Sequence, residues 1–458
     1  MKSAMDPRLL REWLEPDGLG GFASGTVGLI RTRRYHALLL AATTPPTGRN
    51  VLVNGFEAWI EAGEERVYLT PQHYASDVLD LSAVVLVAGF SPEPWPAWTW
   101  RLENGSEIRC ELFVKHGSAI AAIRWWASRV EPGWTLAVRP FLSGRDAHAL
   151  HRENDSFRFD TGQDGERLHW KPYDSVPGIT SLSNGKWIAE PLWYRDFMLD
   201  EERARGLDCV EDLAAPGVFR WDLSAADGYW ILAADDLDGS AELGGPAAAV
   251  YRHLRDSEQK RRAKFAEPLL RAADGYIVKR GDGRTIIAGY PWFTDWGRDT
   301  FIALRGLCLA TGRLDDARSI LLQWAGMVSE GMLPSRFAEE GGRPEFNSVD
   351  GSLWFVIVVR EYLLVAAAQG ELRPADRRTL LSVVETILRA YCGGTRYGIM
   401  MDSDCLLNAG EPGVQLTWMD ARVGDWVVTP RMGKPVEVQA LWINALHAAS
   451  VIGTEWAV

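Results

Sequence analysis

Residues 352–368 read SLWFVIVVREYLLVAAA, apolar on every side and interrupted only by Arg360 and Glu361. A helix that is apolar all round is buried all round, whereas a one-sided helix lies on a surface. The flanking segments are one-sided. Upstream, Leu314, Ala317, Ile320, Leu321, Trp324 and Met327 recur at spacings of three and four. Downstream, Leu380, Val383, Val384, Ile387, Leu388 and Tyr391 do the same after Pro374, a residue suited to a helix start. Segments 300–310 and 436–452 return to the all-round apolar kind. This alternation predicts a two-layer helical toroid, with an inner ring of helices packed inside an outer one.

The polar, aromatic motifs occupy one repeating place. PWFTDWGRD (291–299) precedes the first inner helix and NSVDGSLW (347–354) opens the second. TWMD (417–420) and GKPVE (433–437) precede the third. Inner helices of a toroid run parallel, so their N-terminal loops meet at one mouth. Taken singly, Asp295, Asp299, Asp350 and Asp420 read as helix caps, each worth about 1 kcal/mol. Together with Trp and Arg at one mouth they suit a sugar. Carboxylates accept paired hydrogen bonds from hydroxyls, and the planar fork of Arg298 donates them in fixed geometry. Glycoside hydrolysis further requires two carboxyl groups across the scissile bond. The chain has 21 Trp among 458 residues. These either fill core or stack their faces on sugar rings.

The first half reads as β. Segments 33–40, 51–60, 119–126, 134–142, 157–160, 218–223 and 229–234 are short and rich in Val, Ile, Tyr and Trp, with turn residues between. Asn104-Gly105, between 99–102 and 108–114, is a hairpin signal because both residues tolerate positive φ. An antiparallel β-sandwich over 1–243 is expected. Gly244-Gly245-Pro246 then opens a charged linker helix over 244–262, and the helical domain occupies 263–458.

Composition narrows the function. The 49 Lys and Arg against 61 Asp and Glu leave a net charge of −12, unsuited to nucleic acid or an anionic membrane. No apolar run approaches the ~18 residues of a membrane span, and the N-terminus has no signal-peptide core. The five Cys are scattered and form no CxxC, so a reducing, cytoplasmic setting and no metal are expected. The sequons at Asn104 and Asn154 are then chance matches. No phosphate loop, dinucleotide fingerprint, HExxH or GxSxG occurs, and no cofactor is expected. His36 reads as a hydrogen-bonded structural residue.

The motifs FTDWGRD (293–299), LPSRF (333–337), FNSVDGSLWF (346–355) and NAGEPGVQLTWMDARVGDWVVTPRMGKPVEVQALW (408–442) resemble the glucosidase domain of glycogen debranching enzymes, the amylo-α-1,6-glucosidases. LEPDGLGGFASGT (14–26), TRRYHALLLAA (32–42) and WYRDFMLDEERARGLDCVEDLAAPG (193–217) resemble the N-terminal domain of the bacterial and archaeal members. The resemblance covers nearly the whole chain. It implies a β-supersandwich followed by an (α/α)6 barrel, and an inverting hydrolase that removes α-1,6-linked glucose stubs from glycogen or limit dextrin. By motif, Asp420 matches the general acid. Trp296, Arg298 and Asp299 match the residues that grip the terminal glucose. Asp350, Trp418 and Glu437 fall near the pocket.

Asp17, Ser335 and Arg422 depart mildly from the family pattern. A larger departure is that 263–458 supplies about half of twelve helices. The family's general base is a Glu beyond that half, so the chain is expected to be C-terminally truncated and inactive alone. Two other readings stand beside this one: a glucoamylase-like hydrolase or disaccharide phosphorylase on the same architecture, and a glucan-binding module without catalysis.

Overall fold

The computed structural model describes residues 6–453 except 64, 80, 82–83, 129–132, 236, 238–239 and 338–343. The first five residues of the N-terminus and residues 454–458, where the chain ends, therefore lie outside the described residues. Contacts divide the chain into two units, Met1–Arg271 and Ala272–Val458.

The first unit is a sandwich of two eight-stranded antiparallel sheets. One runs Glu12–Pro16, Phe22–Thr26, Ala37–Thr44, Thr47–Ala62, Trp134–Asp146, Val210–Trp221, Lys186–Met198, with Glu65–Tyr68 branching from Thr47–Ala62. The other runs Thr161–Asp164, Arg167–Trp170, Ile179–Ser183, Gly228–Ala234, Ile120–Ser128, Glu107–Val114, Ala97–Arg101, Gly89–Ser91. Phe56, Ile60, Val138 and Phe219 from the first sheet meet Trp100, Leu112, Ile123, Trp125 and Trp230 from the second. Much of the tryptophan is thus core. The hairpin at Asn104-Gly105 forms as expected between Ala97–Arg101 and Glu107–Val114. Gly105 sits at φ 81°, and Ser106 N–H donates to Asn104 Oδ1 at 3.0 Å. Segment 157–160 is not a strand: Phe157 leaves the ladder and turns its ring into the core.

The N-terminal motifs find a structural role here. Glu211, from 193–217, is sealed between Arg31 (2.5 Å) and Arg145 (3.0 Å) with no exposed side chain. Arg33 pairs with Glu12 at 2.6 Å and Arg34 with Glu202 at 3.5 Å. His36 is buried; Thr32 N–H donates to its Nδ1 at 3.1 Å, and Glu12 lies 3.2 Å from its Nε2. These contacts clasp the segment before Ala37–Thr44 onto the turn of helix at Asp200–Ala204. His73, Asp77 and Asp200 also gather there, but Arg203 supplies the positive charge, donating to Asp77 at 2.8 Å and Asp200 at 2.5 Å.

Helix α1 (Ala247–Arg262) lies within the first unit. Ala247, Val250, Tyr251 and Leu254 form a stripe packed on Trp95, Phe113, Ile120 and Ile231 of the second sheet, and Tyr251 O–H donates to Glu111 at 2.7 Å. The contacts divide at 271/272, downstream of this helix.

The second unit is helical. Its helices are α2 (Gly297–Leu304, continued by a π-turn over Arg305–Leu309), α3 (Leu314–Ala325), α4 (Val349–Ala368), α5 (Pro374–Gly393) and α6 (Val436–Ile452). α4 is central, with α2 and α6 on either side and α3 and α5 in a second layer. The one-sided stripes of α3 and α5 bury as expected. α4 is long and apolar enough by length and composition to cross a membrane, contrary to the expectation of no such segment. Here protein covers most of it: Leu353, Phe355, Val356, Val358 and Val359 are buried in the unit's core, while Leu364 stays exposed. All-round burial fails for α2 and α6, which flank α4 and keep one open face. Ile302 on α2 and Val436, Ile443 and Val451 on α6 are exposed.

Candidate active site

The loops at the N-terminal ends of α2, α4 and α6 converge within the second unit. Gly297 N–H donates to Ser335 O at 2.8 Å, tying the start of α2 to the 333–337 loop. Val349 N–H donates to Leu416 O at 2.9 Å, tying the start of α4 to the 408–435 loop. Ala409 and Gly433 exchange backbone hydrogen bonds and close the base of that loop before α6 begins.

Arg298 joins the cluster together. From the first turn of α2 its Nε and Nη2 donate to Asp350 at 2.7 and 3.0 Å, a bidentate pair with the first turn of α4. Its Nη1 reaches Asp420 Oδ2 at 3.3 Å. Both carboxylates of the first turns, Asp299 and Asp350, sit where helix dipoles favour negative charge. Asp350 is buried and is also held by Ser348, whose hydroxyl donates to Oδ1 at 2.7 Å while its oxygen caps α4 by accepting from Gly351 N–H at 3.1 Å. Asp299 keeps contact with solvent. The protein packed round it, together with the Asp420 and Asp350 charges, nevertheless pushes its carboxyl above the ordinary Asp range, against the pull of Arg298.

Asp420 is 44% exposed and Trp418 is 54% exposed. Burial of Asp420 against Trp418, the expected way of keeping a general acid protonated, is therefore not provided. Glu437, in the first turn of α6, is paired with Arg431 and contacts Trp418. Arg431, then Trp418, hold its carboxyl below the usual range, although desolvation opposes them. Trp296 caps the start of α2, with the guanidinium of Arg336 5.6 Å from its ring centre. Arg298, Asp299, Asp350 and Asp420 thus form one group, Trp418 and Glu437 a second joined to it through the 418–420 turn, and Trp296 stands beside the first.

Asp295 is a brace. It is 1% exposed and gripped by Arg280 at 2.5 and 2.8 Å, and Arg280 in turn lies 3.9 Å from the Phe337 ring centre. Residues that sequence reasoning passed over are Ser348, Arg431 and Arg336. For Ser348 there was a signal: Ser before an apolar helix is an N-cap.

The family model described as amylo-alpha-1,6-glucosidase matches residues 271–457, and that described as glycogen debranching enzyme N terminal matches residues 11–229. Over 86 residues the chain is 35% identical to the glycogen debranching enzyme of Saccharomyces cerevisiae, a stretch that is 18% of this chain and 6% of that protein. A solved bacterial glucoamylase complexed with acarbose aligns with a TM-score of 0.49 at 12% identity, covering 97% of this chain and 62% of the other. The chain spans less than two thirds of either protein. The N-terminal model ends at residue 229 and the glucosidase model begins at residue 271, with α1 between them, so each unit is similar to one domain of the glycogen debranching enzymes, the amylo-alpha-1,6-glucosidases.

Proposed function

We propose that the second unit is the glucosidase part of a glycogen-debranching glycoside hydrolase, acting on α-1,6-linked glucose stubs of glycogen or limit dextrin with inversion. The observation that carries this reading is the meeting of Arg298, Asp299, Asp350 and Asp420, drawn from three segments far apart in sequence. Asp420 is assigned as the general acid from its place in the TWMD motif, and its carboxyl faces solvent with a single contact from Arg298. Arg298, Asp299 and Trp296 grip the terminal glucose; Asp350, Trp418 and Glu437 shape its surroundings. Asp350 and Glu437 are engaged by Arg298 and Arg431, so the base is assigned to a carboxylate outside this cluster. Inversion places it about 6.5–9.5 Å from the acid. The two helical layers are read as part of an (α/α)6 barrel, and the five unpaired cysteines suit a cytoplasmic protein.

The test is binding and hydrolysis of isomaltose and branched limit dextrin by residues 1–458, against maltose and with or without inorganic phosphate. Selective α-1,6 binding that is lost in Arg298→Ala supports the reading, as does release of β-glucose. Formation of a sugar phosphate, or no binding of either α-1,6 ligand, overturns it.

A further inference from the structure

Arg298 is shared between two carboxylates of different standing. Asp350 is 4% exposed by side chain, accepts from two guanidinium nitrogens and accepts a third hydrogen bond from Ser348. Asp420 is 44% exposed and receives one longer contact, from Nη1 at 3.3 Å. The first pair is fixed and the second can be exchanged. A sugar hydroxyl can offer Nη1 an acceptor in place of Asp420 Oδ2, while the sugar itself covers the solvent-facing side of Asp420. Both changes disfavour the charged carboxylate.

We propose that Ser348 and Asp350 are positioning residues that aim Arg298 at Asp420, so that the guanidinium latches the Asp420 carboxylate in the unliganded protein and a bound sugar displaces it, letting Asp420 take up a proton. The proton comes from solvent and goes to the Asp420 carboxylate; no other bond is made or broken. The inference rests on the sugar-binding reading above and adds the order of events: the acid is armed by its substrate. The charged groups that face the cluster are Arg298 and Asp299 from α2, Asp350 from α4, Glu437 from α6 and Arg431 from the 408–435 loop. Asp299, already raised, is the one rival for the proton.

Isothermal titration of residues 1–458 with S-linked isomaltose, which is not cleaved, in buffers of different ionisation enthalpy at pH 6 measures protons taken up per ligand bound. Uptake approaching one proton is expected in the native sequence. It should persist in Asp299→Asn and vanish in Asp420→Asn. In Ser348→Ala Arg298 is no longer aimed at Asp420, so uptake falls while binding continues, and Ser348→Thr restores it. Binding with no proton uptake, uptake that survives Asp420→Asn, or uptake unchanged in Ser348→Ala overturns the latch while leaving the sugar site standing. Absence of any binding by the native chain overturns the sugar site and the latch with it.

Discussion

Each unit builds an arginine–carboxylate triad, and the two are mirror images. In the sandwich, one carboxylate, Glu211, lies between two arginines, Arg31 and Arg145, with no side-chain surface left to solvent. In the helical unit, one arginine, Arg298, lies between two carboxylates, Asp350 and Asp420, and one end of the row is open. The interactions are of the same kind. In the sealed triad both oxygens of the carboxylate are taken by the chain itself and no surface of it faces solvent, so the triad holds the chain. The open one leaves a charged group whose partner can be replaced, which is what a ligand needs.

The sharpest way to break this contrast is to remove the central carboxylate of one triad and the outer carboxylate of the other. Glu211→Gln leaves two buried arginines without their counter-charge and should destabilise the first unit by about 3–5 kcal/mol, read by urea unfolding. Asp420→Asn should leave unfolding within about 0.5 kcal/mol of the native chain. As the proposed general acid, Asp420 is needed for turnover, so Asp420→Asn should lower glucose release from limit dextrin by about 10²–10⁴-fold. A stability loss in Asp420→Asn equal to that in Glu211→Gln would make the open triad structural too.

A smaller effect is expected at Asp350, which belongs to both kinds. Asp350→Ala removes a bidentate partner of a largely buried arginine and should cost about 1–3 kcal/mol of stability in the second unit. Isomaltose affinity should fall as well, because Arg298 is no longer aimed. Affinity unchanged with stability lost would assign Asp350 to the scaffold alone.

Acidity separates Glu211 from Asp299, the neighbour of the open triad, by sign. Burial alone would raise Glu211, but Arg145 and Arg31 hold its carboxyl below the ordinary Glu range. Its contribution to stability is therefore present above about pH 4.5 and is lost as pH falls through the lower folded value. Asp299 is shifted the other way, above the ordinary Asp value, so it protonates at a higher pH than a free Asp. On the proposed reading, the grip of a sugar by Asp299 should then weaken as the pH falls through that raised value. Sugar titrations and unfolding curves from pH 6 to pH 3 check this, and Asp299→Asn should remove the early loss of affinity.

What could be read from sequence follows from the range of the interactions. The stripes of α3 and α5 and the apolar surface of α4 are set by residues a few positions apart, and they were legible. So was the convergence of the 293–299, 346–355 and 408–442 motifs. The pairing of Arg31 with Glu211 spans 180 residues, and nothing local announces it. Segment 157–160 has strand-like residues but gives its Phe to the core instead of to a ladder. The charged 244–262 helix carried a legible stripe at 247, 250, 251, 254 and 258 that its basic end obscured. Asp295, braced by Arg280, could not be told from a site carboxylate, because it and Asp299 occupy the same motif four residues apart.

The smallest expected effect concerns tryptophan, where the two units differ most plainly. Trp100 is fully buried in the sandwich, and Trp100→Ala should cost about 3–5 kcal/mol of stability. Trp418 is 54% exposed beside Asp420, and Trp418→Ala should change stability by no more than about 0.5 kcal/mol. If its open face stacks on the sugar, isomaltose binding weakens by about 0.5–1.5 kcal/mol, as for other aromatic contacts. Glu437 adds a control. It contacts Trp418 but is held mainly by Arg431, so Trp418→Phe should keep the stacking surface and lose only that contact. Affinity retained in Trp418→Phe and reduced in Trp418→Ala would place the ring on the ligand. Equal loss in both would place the effect in the Trp418–Glu437 contact, and no loss in either would remove Trp418 from the site.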